Sequence, residues 1–170
     1  GRVYADLMEK AAVTGNAAEL HDLWKRYPAR LRESEAVQLR HLEALLACEE
    51  TAKVEKEVVR RLKKHWHPAL VDLYGRIPRD GALKQLATAE GWLKQHPDDP
   101  VLLLCLGRLA MVEREWGKAR DYLERSHAVR PSEEVCLELG RLLTAVGDHA
   151  AAAAVFRAGT ALRSSPLPEL

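Results

Sequence analysis

Apolar residues recur along the chain at helical spacing, and this pattern predicts a succession of helices. Val54, Val58 and Leu62, for example, stand four residues apart, as expected for a helix that buries one face. Prolines and Gly-containing turns separate the segments, and none of them has the alternation of a strand. About ten helices in five antiparallel pairs result. The predicted helices cover residues 3–14, 17–27, a segment opening at Ser34, 52–65, 66–77, 80–95, 100–112, 116–129, 132–146 and 149–162.

The stretch from Pro97 to Pro131 has the clearest pattern and predicts two paired helices, 100–112 and 116–129. Pro100 suits the first helical turn, where its missing N–H has no intrahelical partner, and the two aspartates before it can cap that start. One small residue in each helix, Gly107 and Ala119, allows the backbones to approach closely. This order of large and small residues over roughly 34 positions is typical of tetratricopeptide repeats.

The same pattern recurs along the sequence. Leu-Gly-Arg at 106–108 returns about one repeat length later at 139–141, and Tyr-Gly-Arg stands about one repeat length earlier at 74–76. Three related units in one frame favour a solenoid over an ordinary bundle. We therefore predict an all-α fold, a tetratricopeptide-like right-handed α-α superhelix of about five helix pairs. Residues 1–65 would form degenerate N-terminal hairpins, 66–163 three repeats and 164–170 an irregular tail, all in one continuous solenoid.

In such a stack the first helix of each pair lines the concave groove, and the residue after the glycine points into it. Arginines in this position would form a ladder whose guanidinium groups hold carboxylates bidentately, on an acidic peptide, the free C-terminus of a polypeptide or a porphyrin. Alternatively, each arginine pairs with a neighbouring glutamate of the same protein. The predicted groove residues are Arg76, Val101, Leu104, Arg108, Met111 and Arg141.

Composition and charge limit the classes of function that the sequence supports. The formal net charge is +1 and opposite charges are interleaved, so no global field attracts nucleic acid or an anionic membrane. The basic run at 53–64 is interpreted as a solvated helix face. No phosphate-binding loop or nucleophile elbow occurs, and the seven histidines are scattered. His65 and His67 are expected in a turn between helices. We therefore predict no enzyme activity and no cofactor.

The cysteines and the hydropathy bear on the compartment. Cys48, Cys105 and Cys136 have neither zinc-finger nor redox-motif spacing and are predicted to be small buried residues. Unpaired thiols fit a reducing compartment. No apolar run is long enough to span a bilayer, and no signal peptide is present. The sequence begins at Gly1 rather than Met, which indicates a piece of a longer protein.

Three motifs carry a resemblance to a known family. They are W-x-P-A-L-V-x-L-Y-G at 66–75, H-P-D-D-P-V-L-L-L at 96–104 and W-G-K-A-R-x-Y-L-E at 116–124. Between His65 and Arg163 the sequence resembles the C-terminal part of the bacterial HemY proteins, inner-membrane proteins associated with protohaem IX biosynthesis. The resemblance implies an N-terminal membrane anchor of two helices that is absent here, followed by a tetratricopeptide domain on the cytoplasmic face.

The resemblance also suggests what the protein does. It implies a non-enzymatic scaffold for protein–protein interaction in late haem biosynthesis, with haem-biosynthesis enzymes as partners and no contact with nucleic acid. Two alternatives remain open at this point. One is a porphyrin or haem carrier, with the three groove arginines on the propionates and His65 or His67 near the iron. The other is a general peptide-binding tetratricopeptide module unrelated to haem.

Overall fold

The described part of the protein is made of helices and connecting turns. The computed structural model describes residues 2–77 and 81–163, and within these ranges the chain forms eleven helices and no strand. The predicted all-α class is confirmed. The helices are α1 (Arg2–Thr14), α2 (Ala17–Arg26), α3 (Ala29–Arg32), α4 (Glu35–Ala47), α5 (Thr51–Leu62), α6 (Pro68–Arg76), α7 (Leu83–Trp92), α8 (Pro100–Val112), α9 (Trp116–Val129), α10 (Glu133–Ala145) and α11 (His149–Arg163).

The protein divides into two compact units, unit 1 (Gly1–Pro78) and unit 2 (Arg79–Leu170). In unit 1, α4 packs against α1, α2, α3, α5 and α6. The predicted stripe Val54, Val58 and Leu62 on α5 is buried. Because α4 has neighbours on several sides, the core of unit 1 is built around it.

The four-residue helix α3 is the element that the sequence pattern missed. Pro28 ends α2 and precedes α3, whose first turn closes when Leu31 N–H donates to the Pro28 carbonyl at 2.9 Å. One turn is too short to show a helical period. Ser34 precedes α4 as predicted, but its side chain makes no capping hydrogen bond.

In unit 2, α8 and α9 form the antiparallel pair that the sequence predicted, with the same boundaries. Asp99 Oδ1 accepts from the N–H groups of Val101 at 2.8 Å and Leu102 at 3.2 Å, which caps α8. Ser126, near the end of α9, donates to the carbonyl of Pro100 at 2.7 Å. These contacts explain where α8 begins and in which direction α9 returns.

The pair α10 and α11 repeats this arrangement. A Cβ on Gly107 would lie 2.5 Å from Cδ2 of Leu123, and one on Gly140 would lie within 2.5 Å of the ring of Phe156. The step along the sequence from Gly107 to Gly140 equals the step from Leu123 to Phe156. Ser132 accepts from Val135 N–H and caps α10 as predicted. Thus α8–α9 and α10–α11 close on the same kind of contact, a glycine under a large side chain.

Two predictions concern residues that the structure does not describe: the break at Pro78 and the irregular tail at 164–170. The predicted pair 66–95 contributes α6 to unit 1 and α7 to unit 2. The superhelix of five pairs and its continuity as one solenoid stay predictions.

Candidate functional site

Arg108, the central residue of the predicted groove, is mostly buried. α10 packs against both α8 and α9. Arg108 Nε donates to Glu138 Oε1 of α10 at 3.1 Å, and the two side chains are only 13% and 10% exposed. The prediction that Arg108 points into an open groove is therefore corrected. The helix of the next pair covers it and supplies a carboxylate for its guanidinium group.

Arg141 occupies the equivalent position on α10 and has a different environment. Its Nη1 lies 3.5 Å from the same Glu138 Oε1, but its side chain is 59% exposed. Glu138 therefore faces two guanidinium groups, and that of Arg141 is the exposed one. The binding of a partner's carboxylate by Arg141 stays a prediction.

The apolar residues of the predicted groove divide into two groups. Val101 and Met111 are half-buried on the surface of α8. Leu104 is only 6% exposed and belongs to the core, so its assignment to groove surface is corrected. Residues 102–107 of α8 are all buried. α8 is thus enclosed on more sides than a helix that contributes one face to a groove.

Arg76, on α6 in unit 1, is held by two acidic residues. Its Nε lies 2.9 Å from Asp72 Oδ2, and its Nη2 lies 3.5 Å from Glu43 Oε1. All three predicted arginines therefore contact a carboxylate of the protein itself. The structure brings Arg108 and Arg141 to one carboxylate, whereas the ladder of three stays a prediction.

A side-chain cluster in unit 1 was not predicted from the sequence. The imidazole of His41 stacks on the indole of Trp24, with ring centroids 3.8 Å apart and planes inclined by 3°. His41 is buried, and its Nδ1 has no hydrogen-bond partner among the described residues. Burial, followed by the charges of His21 and Arg61, lowers the pKa of His41 to about 4, against a smaller opposing effect of Glu57. No sequence spacing signals this contact, because it joins two helices.

Cationic side chains surround a cavity of about 330 Å³ beside this stack. Glu57 accepts hydrogen bonds from Arg60 and Arg61, at distances down to 2.6 Å, and the bond from Arg60 is the largest cause of its lowered pKa. Gln38 accepts a hydrogen bond from Arg61. The arginines are thus oriented by neighbouring side chains, and the cavity suits an anion. Its lining includes Trp24, Gln38, His41, Lys53, Lys56 and Arg61.

His65 and His67 lie in the connection between α5 and α6, as expected. His67 Nδ1 accepts from Ala69 N–H at 3.2 Å and caps α6. Both histidines line a second cavity with Arg60, Arg61 and Lys64. Over residues 2–77 and 81–163, no group of three or more His, Cys, Asp or Glu side chains is arranged to hold a metal ion.

The cysteine prediction is confirmed, since all three side chains are buried thiols. Burial raises the pKa of Cys48 and of Cys136. In the part of the chain that the structure describes, every helix is too short or too polar to cross a bilayer. Comparison with family models, curated proteins and solved structures finds no match to this protein.

Proposed function

We propose that the protein is a non-enzymatic scaffold that binds other proteins through tetratricopeptide-like helix pairs. The observation that carries the proposal is the repeated closure of α8–α9 and α10–α11 by equivalent contacts, Gly107 with Leu123 and Gly140 with Phe156. Stacked helix pairs of this kind present extended surfaces for partners. We place the partner at the surface-accessible residues of the predicted groove in unit 2, Met111 and Arg141.

The haem setting of this scaffold rests on the resemblance of residues 65–163 to the HemY proteins. In this proposal the full-length protein is anchored in the bacterial inner membrane, with the tetratricopeptide domain on the cytoplasmic face. It would hold late haem-biosynthesis enzymes near the membrane. No cofactor is needed for this role, because the binding energy comes from helix-face contacts and charge pairs.

Site-directed photo-crosslinking in the full-length, membrane-anchored protein tests the scaffold. A photoreactive residue at Met111 is expected to capture a haem-biosynthesis enzyme, identified by mass spectrometry. The matched control carries the same residue at Arg157, an exposed position on α11, and should not capture it. Capture only of proteins outside haem metabolism would favour the general peptide-binding module. Equal capture from both positions, or none from Met111, would contradict the proposed partner side.

The carrier remains a second candidate because of the cavity that His65 and His67 share with three cationic side chains. His67 Nδ1 is engaged as a helix cap, so iron would be ligated by Nε2, which lies 3.9 Å from Glu35 Oε2, while the cations would face propionates. Titration with haem, followed at the Soret band, tests this function. A saturable change that is lost in His67→Ala would support the carrier. An unchanged spectrum would exclude it.

A further inference from the structure

Exposure differs at three equivalent positions of the two helix pairs in unit 2. The residues there are mostly buried on α8–α9 and open on α10–α11, whereas other equivalent residues, such as Leu109 and Leu142, are buried in both pairs. Leu104, Arg108 and Leu123 are 6%, 13% and 0% exposed, whereas their counterparts in the second pair, Leu137, Arg141 and Phe156, are 42%, 59% and 38% exposed.

The cause is the helix that follows α8–α9. α10 packs on both helices of that pair and brings Glu138 to Arg108. Among the described residues, none lies against the corresponding side of α10–α11. We call this side the α10–α11 face and define it by Leu137, Arg141 and Phe156. Its three positions correspond to Leu104, Arg108 and Leu123 of the pair on which α10 packs.

The charge on this face indicates what binds there. α10 meets Arg108 with a carboxylate, and Arg141 has a largely exposed guanidinium group in the equivalent place. In a twofold interface both copies present the same face, so a second copy would offer Arg141 only the side chains of Leu137, Arg141 and Phe156, none of which is a carboxylate. The like charge of the second Arg141 opposes association. The face therefore favours a partner that supplies a carboxylate.

We infer that the α10–α11 face binds an amphipathic helix of a partner protein, with a carboxylate on Arg141 and apolar side chains on Leu137 and Phe156. This inference rests on the proposed scaffold function and specifies the partner's chemistry. The helical form follows from the way in which α10 occupies the preceding pair. At the positions equivalent to Val101 and Met111 the face carries Glu134 and Thr144. Its polar rim suits a partner that binds reversibly.

A synthetic peptide of residues 132–147, labelled with a fluorophore and with its cysteine changed to alanine, is the probe. Fluorescence anisotropy with the 170-residue chain should show saturable binding. Arg141→Glu should weaken it by about tenfold or more, since a close charge pair becomes a repulsion. A peptide carrying Glu138→Arg should then recover most of the loss. Arg157→Glu makes the same charge change on α11 outside the face and should leave binding unchanged.

Several results would overturn the inference. These are the absence of saturable binding, equal effects of Arg141→Glu and Arg157→Glu, or no recovery with the Glu138→Arg peptide. Sedimentation velocity tests the other occupant, because a dimer lost in Arg141→Glu would assign the face to a second copy. Circular dichroism confirms that each variant is folded. If the peptide fails while Met111 still captures a partner, this face is wrong but the scaffold stands.

Discussion

His41 makes unit 1 sensitive to acid at the scale of a single residue. Its pKa falls from 6.5 to about 4 in the folded protein, chiefly because it is buried against Trp24. The unfolded protein therefore binds a proton more readily between these values. This contribution to stability is complete above pH 6.5 and is lost as the pH falls towards 4. Lowering the pH from 7.5 to 5 should therefore reduce the free energy of unfolding by about 2 kcal/mol through His41.

The measurement is urea unfolding of the wild type and of His41→Phe at both pH values. Phenylalanine keeps an aromatic ring beside Trp24 but does not titrate. The variant should lose less unfolding free energy on acidification, by about 2 kcal/mol. His149→Phe, at an exposed position, controls for removal of a histidine. Equal losses in the wild type and His41→Phe would show that His41 does not hold a depressed pKa.

The pair Arg108 and Glu138 should also be visible in unfolding. Glu138→Leu leaves a mostly buried guanidinium group without this carboxylate, and it should destabilise unit 2 by about 3 kcal/mol. Arg108→Met combined with Glu138→Leu should recover most of that loss, since two apolar groups replace two desolvated charges.

A double-mutant cycle with denaturant measures this coupling. Arg141→Met serves as the control, because its exposed side chain should change the unfolding free energy by less than about 1 kcal/mol. Additive effects of the two core substitutions would contradict the prediction. They would mean that Arg108 and Glu138 do not depend on each other for stability.

The close packing of α8 and α9 predicts how substitutions of their glycines change stability. Gly107→Ala would place a methyl group 2.5 Å from Cδ2 of the fully buried Leu123. Such overpacking should destabilise the fold by about 1–3 kcal/mol. Gly117→Ala, on α9 with nothing within 4 Å of the added Cβ, is the matched control and should stabilise by about 0.5–1 kcal/mol.

Thermal unfolding followed by circular dichroism compares the two variants. Gly140→Ala adds a third case, because the ring that it meets belongs to the partly exposed Phe156 and can move outward. We expect its cost to lie below that of Gly107→Ala. If Gly107→Ala were neutral, the close approach of α8 and α9 would not need a glycine.

The helices of unit 2 show which structural features a sequence pattern can predict. The boundaries of α8 were predictable because Asp99 and Pro100 mark its first turn locally. The burial of Arg108 was not, since it depends on α10, a separate helix, and on where Glu138 falls within it. The Trp24–His41 stack was not predictable either, because it joins residues of different helices. Periodicity predicts which face of a helix is apolar, whereas the packing of other helices determines which of its polar side chains are buried.

At the scale of the whole molecule, buried thiols can report how each unit opens. Cys48 belongs to unit 1, follows the last residue of α4 and precedes Glu49, which has a positive φ of 61°. Cys105 lies in the middle of α8 in unit 2 and is 0% exposed. Helix ends open at lower free energy than enclosed helix centres. Cys48 should therefore become accessible well before Cys105.

Labelling by a thiol reagent in single-cysteine variants, with the other two cysteines changed to alanine, tests this order. Burial, and then the charge of Glu50, raises the pKa of the Cys48 thiol; exposure removes the effect of burial, whereas the neighbouring negative charge still disfavours the reactive thiolate. A faster rate at Cys48 would therefore reflect opening rather than thiolate content. We expect a difference of about tenfold or more, which corresponds to about 1.4 kcal/mol in opening free energy. Equal rates at both thiols, falling together as stability rises, would instead mean that the protein opens in one cooperative step.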